Sequence, residues 1–497
     1  MEKKLTISQL MQASGVKFGT SGARGLVEAM SDEVCYAYTL AFLQYMTQQG
    51  LLHRNGPVAI AGDFRHSTTR ILTALHQAIS DHGCTTVHCG RIPSPALALY
   101  GIKRGLPTLM VTGSHIPDDR NGIKFTTPKG EISKEDEQAI RQQSVSITTA
   151  LFTSAGRFNN APALPEINEE AYRQYQARYR DFFPKSALAG LSIGVYAHST
   201  VAAKPLLDLL DHLGAKTTEL APSEQFVPVD TEAIRGEDIR LAHQWSQQYQ
   251  FDAIVSADGD GDRPLISDES GNWIRGDIIG ILCAQHLGIR AIVTPVSSNT
   301  AVEKCGHFDL VSRTRIGSPF VIEGMLTALQ NGHHNVAGYE ANGGVLLASN
   351  ISRNNCSLES LPTRDAVLPI LCLLEMAKTK NIPLSKLVTT LPARYTCSDR
   401  LKNFPTQKSQ KCIEQLYSGD FVLDQNSIEK TFGQLAGKLN LIDVTDGLRM
   451  TFDNQDIIHL RPSGNAPEFR CYTEAATEER AQTLNQECMN LLESWRE

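Results

Sequence analysis

The chain has 497 residues, which at roughly 100–200 residues per domain makes three or four domains. Hydrophobic residues are 41% and charged residues 20%, a globular-enzyme balance that excludes disordered and fibrous classes. A net charge of −7 provides no basic field for nucleic acid, so an anionic ligand has to be gripped by local Arg and Lys residues.

The N-terminal stretch MEKKLTISQLMQASG lacks the apolar region of a signal peptide. Residues 58–62 (VAIAG) read as a strand and 67–82 as a helix. His82, Cys84, His88 and Cys89 come next, but their spacing matches no standard finger and TTVHC reads as a strand, so zinc is not expected there. Residues 107–112 form another strand, followed by a Gly/Pro/Asp loop and a hairpin from Gly122 that turns at Pro128 to Gly130. The Gly/Asn/Pro-rich segment 156–168 reads as a linker, and 169–183 as a helix. A new unit opens with a strand at Leu191 and a helix through Leu210, and the strand FDAIVSA (251–257) runs straight into DGDGDR. A third begins near Asn272, with strands AIVTPV and NVAGYE and a last helix over 363–379. Its apolar stretch Ala366–Ala377 is too short to span a bilayer. After Pro392 a smaller α+β unit has strands near 440–444, 447–452 and 456–461 and a helix at 477–495. The eleven cysteines are odd in number and irregularly spaced, as in a reduced interior. The expectation is a soluble cytoplasmic protein with no membrane contact.

Strands and helices alternate, which argues for α/β layering. A strand followed by a polar loop recurs at Asp63, at Asp258 and at Val296–Asn299, suggesting three related α/β units. Ligands of open α/β sheets lie beyond the carboxyl ends of strands, so such loops can face one shared cleft.

Four loops carry chemistry. In DGDGDR, Asp258, Asp260 and Asp262 alternate with glycines and can converge on a hard divalent cation, Mg²⁺ first. An EF-hand also uses alternate acids, and Glu269 falls at its twelfth position, but Arg263 stands where that loop needs Gly and a strand precedes it. In VTGSHIPDDRNGIK, Ser114 sits at a sharp turn with His115 and Lys124 nearby; its hydroxyl needs a base or a metal to act, and no G-x-S-x-G elbow supports a serine hydrolase. RPSGNAPEFR sets Arg461 and Arg470 around a turn able to nest an anion. GYEANGG places Glu340 and Asn342 between glycines, the acceptor and amide that read sugar hydroxyls. GQLAGK (433–438) lacks the spacing of a P-loop.

These loops, in this order, resemble the α-D-phosphohexomutase superfamily, the phosphomannomutase/phosphoglucomutase group in particular, over nearly the whole chain. KFGTSGARG (17–25) is similar to its N-terminal signature, TGSHIP to its phosphoserine loop, DGDGDR to its metal loop, GYEANGG to its sugar loop and RPSGNAPEFR to its phosphate loop. The resemblance implies three similar α/β domains and a smaller α+β domain around a central cleft, divided at 1–157, 158–271, 272–385 and 386–497. It implies that Ser114 carries a phosphate and holds Mg²⁺ with Asp258, Asp260 and Asp262. Arg263 would lie beside the phosphoryl group, Lys124 would be a general-base candidate, a role that needs a lowered pKa, and Arg24 would match the N-terminal Arg; which residue is the base stays open. Glu340 and Asn342 would read the sugar, and Arg461, Ser463, Gly464 and Asn465 would hold the second phosphate. Two positions depart from the pattern: Ile116 replaces an Asn, and EANGG puts Asn342 for Ser and Gly344 for His in the sugar loop.

The implied activity interconverts hexose 1- and 6-phosphates through phosphoserine and a hexose 1,6-bisphosphate that is both intermediate and activator. Phosphomannomutase comes first, with phosphoglucomutase or phosphoglucosamine mutase as alternatives. The rivals of other classes are a metal-dependent sugar phosphatase, which has less need of a second phosphate loop, and a non-catalytic phosphosugar-binding protein, which has no need of Ser114. Monomer and homodimer both stay open.

Overall fold

The computed structural model describes residues 2–19, 22–463 and 467–496. Its first sheet contains β1 (Gly22–Leu26), β2 (Pro57–Gly62), β3 (Thr85–His88), β4 (Thr108–Val111) and β5 (Arg120–Thr127), in the order β1-β5-β4-β2-β3. The second contains β6 (Ser192–His198), β7 (Lys216–Pro222), β8 (Ala253–Ala257) and β9 (Pro264–Ile266), ordered β7-β6-β8-β9. The third contains β10 (Ala291–Pro295), β11 (Leu310–Thr314), β12 (Val336–Tyr339), β13 (Val345–Leu347) and β14 (Leu361–Asp365), ordered β11-β10-β12-β13-β14.

One topology underlies all three. A first strand is flanked by two parallel partners, and the inner partner is followed by an antiparallel strand: β2/β3/β4/β5, β6/β7/β8/β9 and β10/β11/β12/β13. The parallel strands are apolar because helices cover both faces; every residue of β4, β8 and β10 is buried. The fourth sheet is antiparallel throughout: β15 (Tyr395–Lys402), β16 (Leu439–Asp443), β17 (Leu448–Phe452), β18 (Ile457–Pro462) and β19 (Glu468–Ala475), ordered β15-β19-β18-β17-β16. The sequence patterns thus find three α/β units and an α+β unit.

Several expectations need correction. Residues 363–365 are not helix but the end of β14, and the helix runs Val367–Lys380, its Val367 N–H capped by Asp365 Oδ1 at 2.9 Å. β15, β19 and the helices Thr406–Leu416 and Phe421–Ala436 add to the C-terminal unit. The proposed repeat was also out of register. Asp63 and Val296–Asn299 follow first strands, whereas Asp258 follows an inner one. Glu269 accepts from the Ser385 hydroxyl and main-chain N–H, away from DGDGDR. His82 pairs with Thr47 and His88 with the Pro165 carbonyl, and among the described residues the His, Cys and acidic groups that converge are Asp258, Asp260 and Asp262. All eleven cysteines are free thiols. Among the described residues, no helix is long and apolar enough to cross a membrane.

One apolar core runs from Ala59 and Leu97 in the first unit through Val195 and Leu206 in the second to Ile279 and Leu371 in the third. The fourth unit has its own core, including Phe404, Phe432, Phe452 and Leu484.

Candidate active site

The loops after the three inner strands are topological equivalents, and they carry Ser114, Asp258–Arg263 and Glu340–Gly344. Ser114 adopts φ 53°, rare for a residue with a Cβ. Its N–H donates to Thr112 Oγ1 at 2.7 Å. Arg65, which the sequence reading missed, fixes the rest of the turn. Its guanidinium donates to the carbonyls of Ser114 (2.9 Å), Ile116 (2.5 Å), Pro117 (2.7 Å) and Arg120 (2.9 Å), and is stacked on Phe226 at 3.8 Å. The Ser114 hydroxyl is thereby aimed at Asp258, to which it donates, with His115 Nδ1 3.2 Å away.

Asp258, Asp260 and Asp262 are buried, and one oxygen from each lies within 4.8 Å of the others. Asp258 Oδ1 closes the loop by accepting from the Asp262 and Arg263 N–H groups, both at 3.1 Å. Burial and the two neighbouring acids push the Asp258 carboxyl well above its ordinary range. Burial would also raise Asp262, but Arg364, Lys124 and Arg263 outweigh it and lower it. Asp260 Oδ1 and Asp262 Oδ1 are buried with no hydrogen-bond partner. Crowded carboxylates with orphaned oxygens beside a serine hydroxyl form the hard, all-oxygen donor set that Mg²⁺ takes.

Arg24 on β1 and Lys124 on β5 come from an antiparallel pair that sets Gly122 opposite Arg24 and Gly22 opposite Lys124. A Cβ at Gly22 would lie 2.0 Å from the Ile123 carbonyl oxygen, and one at Gly122 2.8 Å from that of Ala23, so only glycine permits this approach. Burial and Arg263 lower the Arg24 guanidinium to about 10. Burial, Arg263 and Arg24 push His115 well below its ordinary value, leaving a neutral imidazole. Lys124 departs from expectation. Its Nζ donates to Asp260 Oδ2 and Asp262 Oδ2, each at 2.6 Å. Burial alone would lower its pKa, but the two carboxylates outweigh burial and raise it.

Arg364 was also missed. Its Nε and Nη2 donate to Asp262 Oδ2 at 3.1 and 2.9 Å, and its Nη1 to Glu340 Oε2 at 2.7 Å, so it ties the acidic loop to the Glu340 loop. Asn342 Oδ1 accepts from Gly344 N–H at 3.0 Å, which leaves its amide NH₂ for the cleft. Across the cleft, Arg461 pairs with Asp446 at 2.9 Å, and Ser463 N–H donates to the Glu468 carbonyl at 2.9 Å. Gly464 and Asn465 lie outside the described residues. A single cleft of about 630 Å³ is lined by Arg24, Ser114, His115, Lys124, Arg263, Glu340, Asn342, Arg461 and Ser463, within the range of ligand pockets.

The descriptions Phosphoglucomutase/phosphomannomutase, alpha/beta/alpha domains I, II and III match residues 15–150, 170–271 and 275–395. A phosphomannomutase of Salmonella muenchen is 44% identical over 474 residues, 95% of this chain and 94% of that one. One from Sinorhizobium fredii is 42% identical over 483 residues, 97% and 99% of the two chains. The solved N-acetylphosphoglucosamine mutase of Aspergillus fumigatus, in complex with GlcNAc-6P and magnesium, shares the fold at a TM-score of 0.61 and 14% identity, over 98% of each chain. With its acidic loop, serine turn and basic wall meeting in one cleft, the chain belongs to the phosphoglucomutase/phosphomannomutase family of α-D-phosphohexomutases.

Proposed function

We propose that this protein is a phosphomannomutase, an isomerase that moves a phosphoryl group between O1 and O6 of one hexose. The observation that carries the reading is the Ser114 hydroxyl on Asp258 of the acidic cluster, in a cleft whose far wall holds Arg461 and Arg470. One end suits the phosphate being transferred and the other the phosphate that is not. The Salmonella muenchen and Sinorhizobium fredii relatives, 44% and 42% identical, bear that name. The domain division at 1–157, 158–271, 272–385 and 386–497 belongs to this reading, as does a cytoplasmic location.

In the reaction, the bond between Ser114 Oγ and phosphorus breaks as a sugar hydroxyl oxygen bonds phosphorus, and the hydroxyl proton passes to a base. The resulting hexose bisphosphate turns and returns its other phosphoryl group to Ser114. Asp258, Asp260, Asp262 and the phosphorylated Ser114 would hold Mg²⁺, which when bound neutralises charge on the transferring group. Arg263 adds fixed positive charge there. His115, with Nδ1 3.2 Å from Ser114 Oγ, is placed to receive a proton, but burial, Arg263 and Arg24 disfavour its charged form and make it a weak base there. Lys124 can receive one only when Asp260 and Asp262 no longer hold it. Glu340 and the Asn342 amide face the sugar.

Ser114→Ala should lower interconversion of mannose 1- and 6-phosphate by more than about a thousand-fold. Full turnover of that variant with added hexose 1,6-bisphosphate would overturn the phosphoserine role. Steady-state rates on mannose, glucose and glucosamine 1-phosphates rank the sugars; mannose is expected first.

A further inference from the structure

The basic wall holds more than the RPSGN loop. β15, β19 and β18 are neighbours, and their register sets Arg400 opposite Arg470 and Arg470 opposite Arg461. Directly opposed residues share a face of the sheet, so three guanidiniums stand in one row, and all three line the cleft. Like charges opposed in this way destabilise a sheet. Nearby acids offset them unevenly. Arg461 pairs with Asp446 at 2.9 Å, whereas Glu468 is shared, 3.3 Å from Arg470 Nη2 and 3.6 Å from Arg400 Nε. Arg400 is the outermost, its side chain 45% exposed against 17% for Arg461. A guanidinium offers five donors in a planar fork matched to two phosphate oxygens, and one carboxylate at 3.6 Å uses little of that capacity.

We propose that Arg400 is a third phosphate-binding arginine, which with Arg470 forms an outer position for the sugar phosphate, next to the inner one at Arg470 and Arg461. Strands lie about 4.8 Å apart, so the row spans about 10 Å, more than one phosphate group covers. Glu468 occupies the outer position when no ester is bound. The phosphate first meets Arg400 at the mouth, and the same position retains the bisphosphate by one end while the sugar turns. The nature of the ester rests on the mutase reading; the anion position rests on the strand register alone.

The test titrates the full-length protein with inorganic phosphate. Arg400→Ala should weaken binding about ten-fold, the loss of one partly exposed charge-assisted contact, and Arg400→Lys by less. Lys402, on the same strand and face but outside the cleft lining, is the control, and Lys402→Ala should bind as wild type. In turnover, Arg400→Ala should come to depend on added hexose 1,6-bisphosphate, because the intermediate escapes. Phosphate affinity within two-fold of wild type in Arg400→Ala, or an equal loss in Lys402→Ala, overturns the proposal. A wild type inert on hexose phosphates would instead sink the mutase reading and leave the phosphate titration readable.

Discussion

Arg364 and the three aspartates show how far neighbours decide what a residue does. Asp258 and Asp262 belong to one six-residue motif, yet one carboxyl is raised and the other lowered, because Lys124 and Arg364 both donate to Asp262 and neither to Asp258. Such divergence lets chemically identical groups take different parts. Arg364 bridges buried Asp262 and Glu340, so Arg364→Met would leave Glu340 without its charge partner. Urea unfolding should show a loss of about 3–5 kcal/mol, the cost of breaking a buried pair from one side. Arg364→Lys should recover only part, since an ammonium cannot make the same forked contact. An unchanged midpoint in Arg364→Met would show the bridge to be dispensable. The aspartates were legible because their spacing is itself the signal. Arg364 was not, because TRD inside an apolar region has no pattern until β14 pairs with β13 and turns it to the cleft.

Among elements, the inner-strand loops carry Ser114, the three aspartates and Glu340, and helices hold them in place. The helix Gly276–His286 starts against the Glu340 loop: a Cβ on Gly276 would lie 2.4 Å from the Asn342 carbonyl carbon and 2.4 Å from Gly343 N. Backbone cannot yield as a side-chain tip can. Gly276→Ala should therefore displace Asn342, raise KM for the sugar phosphate and cost about 1–3 kcal/mol of stability. If KM stays put while stability falls, the helix start does not position the sugar loop. The parallel strands were readable from their continuous apolar runs. β14 was not, because its alternation abuts a helix of similar composition, and the short run was absorbed into the longer one.

At the scale of the molecule, the first three units share one core and the fourth has its own, so its attachment is chiefly polar. Glu474 on β19 accepts from the third unit's Thr300 N–H at 3.1 Å, and Arg394 Nε, at the start of the fourth unit, donates to Glu474 at 2.6 Å and holds it there. Asp446 accepts from Ile316 N–H at 2.9 Å, and Glu131 links the first unit to the third through Ser318 and Thr363. Arg394→Met leaves Glu474 buried without its cation, about 3–5 kcal/mol. Calorimetry should then show the fourth unit melting before the other three, with kcat/KM falling because Arg461 and Arg470 ride on it. One transition shifted as a whole would contradict this division.

The sequence alone determined the layered α/β class and the order of the four loops, and singled out the serine and the acids as candidates, since local periodicity and motif spacing are properties of the chain itself. Only the tertiary structure decided which loops are equivalent, that Lys124 is held by Asp260 and Asp262, that Arg65 fixes the serine turn, and that Arg364 and Arg400 line the cleft. Those facts depend on which strands become neighbours and in what register, and a long-range pairing leaves no local trace in the residues it joins.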